Sequence, residues 1–258
     1  MAVTLAGGCR VSDMREGDPF DFGNLTMWTQ VHRGHAKAIS LRVLEVRPGI
    51  SQGILNTDCE EIFYLLPDED QIAEVEIFID GWRHALRPHS GVYLRPQQTL
   101  TIENGGRSPI VFISSRCPEP ISSGNYVPPL RSPLPDSTRP DPEPIVCLAD
   151  QKAQPTADRW YRVLIDERVG STQVTQFVGS IPPGRAPDHF HNYEEVLFIL
   201  NGDGRMWAGE TNTPISAGAC IYLPRGQVHC VENTGAGELR LLGVFYPAGS
   251  PSVRYDAS

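Results

Sequence analysis

The sequence predicts an all-β protein made of two closed or sandwiched β-domains in tandem, and three observations carry that prediction. The chain has 258 residues, enough for two domains of ordinary size. It holds 24 glycines and 23 prolines, a share that suits short strands and tight turns better than long helices. It also repeats itself. Glu60-Glu61-Ile-Phe-Tyr-Leu-Leu66 matches Glu194-Glu195-Val-Leu-Phe-Ile-Leu200. Tyr93-Leu94 and Glu103-Asn104 match Tyr222-Leu223 and Glu232-Asn233 at one shared offset, so no gap falls between them. An internal duplication is the simplest explanation.

The two copies are separated by a proline-rich stretch. Between Pro118 and Pro144 stand Pro120, Pro128, Pro129, Pro133, Pro135, Pro140 and Pro142. Proline cannot donate to a sheet ladder, so an extended, irregular linker is expected there. The expected division is a first domain at 1–117, a linker at 118–144 and a second domain at 145–258. Within the domains, apolar and polar residues alternate over Ser40 to Val46, Ala73 to Ile79, Thr99 to Ile102 and Ser171 to Val178, which reads as strands. Pro48-Gly49, Pro183-Gly184 and Asn201-Gly202 punctuate them. No amphipathic helix longer than two turns is expected, and Asp166 to Val169 reads as a helical turn or a loop.

Composition narrows the partners. The net charge is −9, with 22 Lys and Arg against 31 Asp and Glu, and no basic cluster occurs. That excludes the basic footprint a nucleic acid or an anionic membrane requires. No apolar run approaches the length of a membrane span. Met1 to Cys9 lacks the basic start and apolar length of a lipoprotein signal. The six cysteines are widely spaced with no CxxC pair, so no disulfide framework is expected and the reducing cytoplasm is the expected compartment.

The chemistry concentrates in the second half. Three of the seven histidines lie in Gly184-Arg-Ala-Pro-Asp-His189-Phe-His191-Asn-Tyr-Glu194-Glu195 and Gly218-Ala-Cys-Ile-Tyr-Leu-Pro224-Arg-Gly226-Gln-Val-His229-Cys-Val-Glu-Asn233. Two residues apart on a strand, His189 and His191 share a face, with Cα atoms roughly 7 Å apart. Glu195 opens the next strand after a bend, and His229 follows a Pro-x-Gly turn. Three nitrogens and one carboxylate suit Fe(II), Mn(II), Ni(II), Co(II) or Zn(II), and an octahedral ion would keep two open positions.

These motifs resemble those of the cupin superfamily. His189, His191, Glu195 and Gly202 fit its first motif, with a spacer after Gly184 one residue shorter than usual. Gly218, Pro224, Gly226, His229 and Asn233 fit every position of its second. The resemblance implies two tandem cupin barrels of the jelly-roll or double-stranded β-helix type, a bicupin, with one divalent transition metal per chain on His189, His191, Glu195 and His229. In the first half, Glu61 takes the place of Glu195, but Leu55, Thr57 and Leu100 fall where His189, His191 and His229 stand, so no metal is expected there.

Around the ligands, Glu194 should face away from Glu195, as a solvated charge or an alternative ligand. Arg185 is either an inert turn residue or a clamp for a substrate carboxylate. Tyr161 and Gln176 are candidates to line the cavity; Trp207 and Tyr222 are read as core and Cys230 as a buried thiol. His32, His35, His84 and His89 are read as surface or loop residues. The resemblance implies an Fe(II) dioxygenase acting on a small organic substrate, with Glu195 also able to accept a proton. A redox-neutral isomerase, decarboxylase, lyase or hydrolase, such as a bicupin similar to ureidoglycine aminohydrolase, is the alternative; a non-enzymatic small-molecule-binding cupin is a third. Homodimers are common among such relatives.

Overall fold

The computed structural model describes residues 1–67, 75–118, 125–135, 137–156 and 158–252, and the backbone of 255–256. Ala73 and Glu74 of one expected strand and residues 119–124 and 136 of the linker lie outside them. The described residues form four antiparallel sheets, two per half, with three single-turn 3-10 helices, one of them at Glu167–Val169. The expected all-β architecture of two tandem barrels is the observed one.

Each half pairs a large sheet with a small one. In the first half the large sheet is built on Ser90–Leu94, Glu60–Leu65, Ile110–Cys117 and Leu41–Val46, and the small sheet on Val75–Ile79, Thr99–Asn104 and Gly53–Leu55. In the second half, Ala219–Leu223, Glu194–Asn201, Leu239–Tyr246 and Thr175–Ile181 form the centre of the large sheet; Gly204–Ala208, His229–Asn233 and His189–Phe190 form that of the small one. The two large sheets belong to one shared core. Ile62, Tyr64 and Tyr93 of the first half pack there with Val196, Phe198, Tyr222 and Val244 of the second. Alternate residues of the same strands, Phe63 and Leu65 or Leu197 and Ile199, fill the interior of their own barrel. The central strands are therefore apolar on both faces, which is why the two most similar runs of the repeat are nearly continuous hydrophobic stretches.

Sheet membership crosses the proline-rich stretch in both directions. Arg10–Asp13, near the start of the chain, pairs with Ala219–Leu223 of the second half. Ile145–Cys147, which precedes the second half, pairs with Ser90–Leu94 of the first. Among its described residues, the proline-rich stretch itself holds one short strand, Asn125–Val127, laid against Gly53–Leu55. Three strand expectations shift. Ser40 to Val46 shortens to Leu41–Val46. Thr99 to Ile102 extends to Thr99–Asn104, and Ser171 to Val178 becomes Thr175–Ile181. Ser171 leaves the strand because its hydroxyl folds back, accepting from the Val174 N–H at 3.3 Å.

Each Glu-Glu pair divides its labour between the two cores. Glu61 and Glu195 point into their own barrels, and their neighbours Glu60 and Glu194 cross to the other half. Glu194 is buried and accepts hydrogen bonds from the backbone N–H groups of Lys37 (2.8 Å) and Ala38 (2.7 Å) and from the Tyr222 hydroxyl (2.7 Å). Glu60 mirrors it, accepting from the Ser171 hydroxyl (2.9 Å), the Thr172 hydroxyl (3.0 Å) and the Thr172 N–H (3.1 Å). The reading of Glu194 as a solvated charge or spare ligand is thus corrected. The side facing away from the barrel is another buried interface, and the carboxylate satisfies a loop of the opposite half.

Inside the first barrel a buried ion pair stands beside Glu61. The Arg42 guanidinium, 3% exposed, pairs with Glu61 and donates to the Ser114 hydroxyl at 3.0 Å; Asn56 and Ser114 also donate to Glu61. The register corrects the expected equivalences by one residue. Leu100 lies opposite Ile54, as His229 lies opposite His189, so Ile54 and Asn56 hold the two histidine positions instead of Leu55 and Thr57. The same ladders set Arg42 and Ser114 against Phe177 and Gly243 of the second barrel.

Two stability outcomes follow. Glu194→Ala should lower the folding free energy by about 3 kcal/mol or more, since hydrogen bonds to a charged group contribute about 1.5–3 kcal/mol each; a denaturant titration reads this directly. Arg42→Met should cost about 3–5 kcal/mol by stranding the Glu61 charge, and the double change Arg42→Met/Glu61→Leu should recover most of it.

Candidate metal centre

Three imidazoles converge at one end of the second barrel. His189 lies on a two-residue strand paired directly with His229, and His191 follows just beyond it. The Pro224-Arg-Gly226 turn fastens the two segments together. Gly226 has φ +76°, a conformation that favours glycine, and its N–H donates to the His191 carbonyl at 2.8 Å. The ring centroid of His189 lies 4.9 Å from that of His191 and 4.5 Å from that of His229. One ligand nitrogen from each of the three lies within 4.8 Å of the other two.

Two rings are held by backbone carbonyls. His189 Nδ1 lies 3.0 Å from the Pro187 carbonyl and His229 Nδ1 lies 2.8 Å from that of Gln227. A carbonyl only accepts, so both rings donate from Nδ1 and keep the Nε2 lone pair for a ligand role. His191 is oriented by stacking. Tyr193 lies parallel to it at 4.6 Å, and Phe245 backs Tyr193 at 4.2 Å. Glu195 comes from the opposite sheet, with its Oε2 3.7 Å from His191 Nε2. Burial pushes the Glu195 carboxyl up to about 8 and His229 down to about 3, the neighbouring His189 adding to the latter. His229 is thereby kept in the neutral form that binds cations. Three imidazole nitrogens with a buried carboxyl beside them fit a divalent metal.

A cavity of about 120 Å³ opens at this cluster. Phe177, Leu197, Val231, Leu241 and Tyr161 are among its walls, together with the three histidines and Glu195. The Tyr161 hydroxyl donates to Gln154 at 2.9 Å. Phe177 fits only because residue 243 is glycine, as a Cβ there would collide with its ring.

The sequence-predicted residues sort clearly. His189, His191 and His229 come together with Glu195 at their edge, and Tyr161 lines the cavity. Gln176 does not, because Phe177 is the inward residue of that strand and Val178 faces the shared core. Arg185 also points elsewhere. It donates to Cys230 Sγ at 3.2 Å and to Asp188 at 3.0 Å, and lies over the Trp207 ring at 4.1 Å. Trp207 is half-buried, donating to Glu232 at 2.8 Å, while Tyr222 belongs to the shared core. Cys230 is a buried thiol raised to about 11 by burial. His84 is buried and bonded to Glu143 at 2.8 Å, so it is not the surface residue expected. Sequence reasoning misses Tyr193 and Phe177, although Tyr193 stands two residues after His191, inside the motif. The motif asparagine is structural. Asn233 donates to the Ile181 and Gly237 carbonyls at 2.8 and 2.7 Å, and Asn104 makes the same kind of bonds in the first half.

Comparison with known proteins agrees with this geometry. Residues 177–245 match the family described as "Cupin domain". Residues 177–245 thus carry a cupin domain. Auxin-binding protein 1 of Arabidopsis thaliana is 32% identical over 83 residues, which is 28% of this chain and 42% of that protein. The oxalate-binding protein of Thermotoga maritima is 36% identical over 66 residues, 25% of this chain and 54% of that one. The chain spans about half the length of the curated relatives it matches. Among solved structures, a deletion mutant of Bacillus subtilis oxalate decarboxylase superposes with a TM-score of 0.74 at 15% identity, covering 93% of this chain and 78% of that one. The formate complex of Lactobacillus farciminis oxalate decarboxylase gives 0.73 at 12% identity, covering 96% and 88%. At these identities the likeness is one of fold. Among the described residues no helix is long and apolar enough to cross a membrane.

The stacking of Tyr193 on His191 is testable. Tyr193→Ala should weaken divalent-metal affinity by about 10- to 100-fold, as loss of a ligand-orienting contact does, while the protein stays folded; metal titration with circular dichroism checks both parts.

Proposed function

We propose that this cupin is a metal-dependent enzyme that cleaves a small carboxylic acid without net oxidation, a decarboxylase or related lyase. His189, His191 and His229 would hold one divalent ion through Nε2, with Glu195 completing the set. Such an ion, when bound, supplies Lewis-acid polarisation of a carboxylate or carbonyl oxygen. The protein's own contribution is to fix the imidazoles through the Pro187 and Gln227 carbonyls, to wall the cavity with the apolar side chains of Phe177, Leu197, Val231 and Leu241, and to hold a buried carboxyl at the cluster. In a decarboxylation the carbon–carbon bond breaks, CO2 leaves, the electron pair stays on the remaining fragment and one proton is taken up there. Glu195 is the carboxyl placed to hold that proton whenever it is released from the ion.

The observation that carries the reading is the histidine cluster at the end of a cavity of about 120 Å³, well below the roughly 300–1,000 Å³ of a site for drug-sized ligands. This favours a compact acid over flavonol-sized or polycyclic substrates. The names of the structural neighbours, oxalate decarboxylases, support the redox-neutral class, and nothing in the comparisons supports the Fe(II) dioxygenase expected from the sequence. With the dioxygenase set aside, Fe(II) loses its preference, and Mn(II), Co(II), Ni(II) and Zn(II) are equal candidates for the donor set.

The test is a metal assay followed by a turnover assay. The protein should bind about one divalent ion per chain, and His191→Ala should lose it. Metal-loaded protein given oxalate or other two- to four-carbon acids should release CO2 without stoichiometric oxygen uptake. One O2 consumed per turnover would restore the dioxygenase. Tight binding of such acids without turnover would make this a binding protein.

A further inference from the structure

The strands that carry His189 and His229 meet at a single residue pair, His189 opposite His229. The Gly226 turn fastens the His191 end of this junction. The His189 end is fastened from outside the barrel. On the outer face of the small sheet Trp207 stands opposite Cys230, since Met206, Ala208 and Val231 take the inward positions. Cys230 is 0% exposed even so. The Arg185 guanidinium lies against it and makes three contacts at once. Nε donates to Cys230 Sγ at 3.2 Å, and one terminal nitrogen donates to the two Asp188 oxygens at 3.0 and 3.4 Å. Cζ lies 4.1 Å from the centre of the Trp207 ring, whose N–H is held in turn by Glu232 at 2.8 Å. Asp188 immediately precedes His189, and Cys230 immediately follows His229. Pro187, whose carbonyl takes the His189 Nδ1–H, lies inside the loop that the Arg185–Asp188 contact closes.

We propose that Arg185 is a positioning residue of the metal centre, an outer clasp that holds the His189 and His229 segments together so that their free nitrogens converge. The inference rests on the metal-centre reading above and adds the group that braces it. A planar guanidinium suits the task, because its donors are fixed relative to one another and reach two partners while its face stays on the indole. The sign of its effect separates this role from simple electrostatics. A positive charge near a cation site repels the cation, so removing that charge alone would strengthen metal binding. Removing a clasp weakens it.

Titration with Co(II), followed by its visible absorption, tests this on the wild type, Arg185→Met and Arg185→Lys, with urea unfolding of each metal-free protein alongside. Arg185→Met should weaken Co(II) binding by about 10- to 100-fold, the scale of losing a contact that orients a ligand, and alter the absorption bands. Its metal-free urea midpoint should hold, because the clasp lies at a solvated surface where the Arg185 side chain is 40% exposed. Arg185→Lys should fall between, since the ammonium keeps the charge and loses the fork. Unchanged or tighter Co(II) binding by Arg185→Met overturns the role of Arg185 and leaves the metal-centre reading standing. A fall in its metal-free midpoint that parallels the loss of affinity marks a merely structural residue and overturns the role too. Failure of the wild type to bind Co(II) overturns both.

Discussion

The fold depends on two carboxylates that serve the opposite half of the molecule. Glu60 and Glu194 sit in the shared core, where an unpaired charge would be costly. Each is satisfied by a loop of the other half, residues 171 and 172 in one case and 37 and 38 in the other. Each also fixes the phase of its strand. With Glu194 committed to the shared core, alternation sends Glu195 into the barrel, beside the histidines. The contact that joins the halves therefore also aims a proposed metal ligand.

The two barrels show two treatments of one buried carboxylate. In the first, Glu61 meets a guanidinium, an amide and a hydroxyl, all from its own barrel. In the second, Phe177 and Gly243 replace Arg42 and Ser114, and Glu195 faces imidazoles and open space. An aromatic ring where the other copy has an arginine removes the internal cation and leaves a cavity with apolar walls. The duplicated scaffold thus keeps one barrel whose buried carboxylate is paired beside one whose carboxyl faces the histidines.

Much of this was legible in the sequence because it depends on local spacing. The His-x-His pair, the Pro-x-Gly turn before His229 and the Glu-Glu repeat are short-range patterns, and ladder geometry turns them directly into positions. What was hidden depends on partners far along the chain. Alternation showed that Glu194 faces away from Glu195, but the backbone it binds lies 157 residues upstream, at Lys37. The one-residue slip between Asn56 and Thr57 was hidden for a related reason. The two copies differ by one residue between this position and the glutamate, and only cross-strand register reveals where. Gln176 and Phe177 were confused because a strand buried on both faces has no polar side to mark its inward residues.

The exchanged strands have a consequence for how the molecule is made. Arg10–Asp13 leaves the ribosome long before its sheet partner Ala219–Leu223. His229 emerges later still. The first barrel can largely form while synthesis continues, as domains generally do in order of emergence. The second has to wait, holding Arg10–Asp13 in reserve until Ala219–Leu223 has been made, so the histidine centre closes only after the first barrel has had its chance to form.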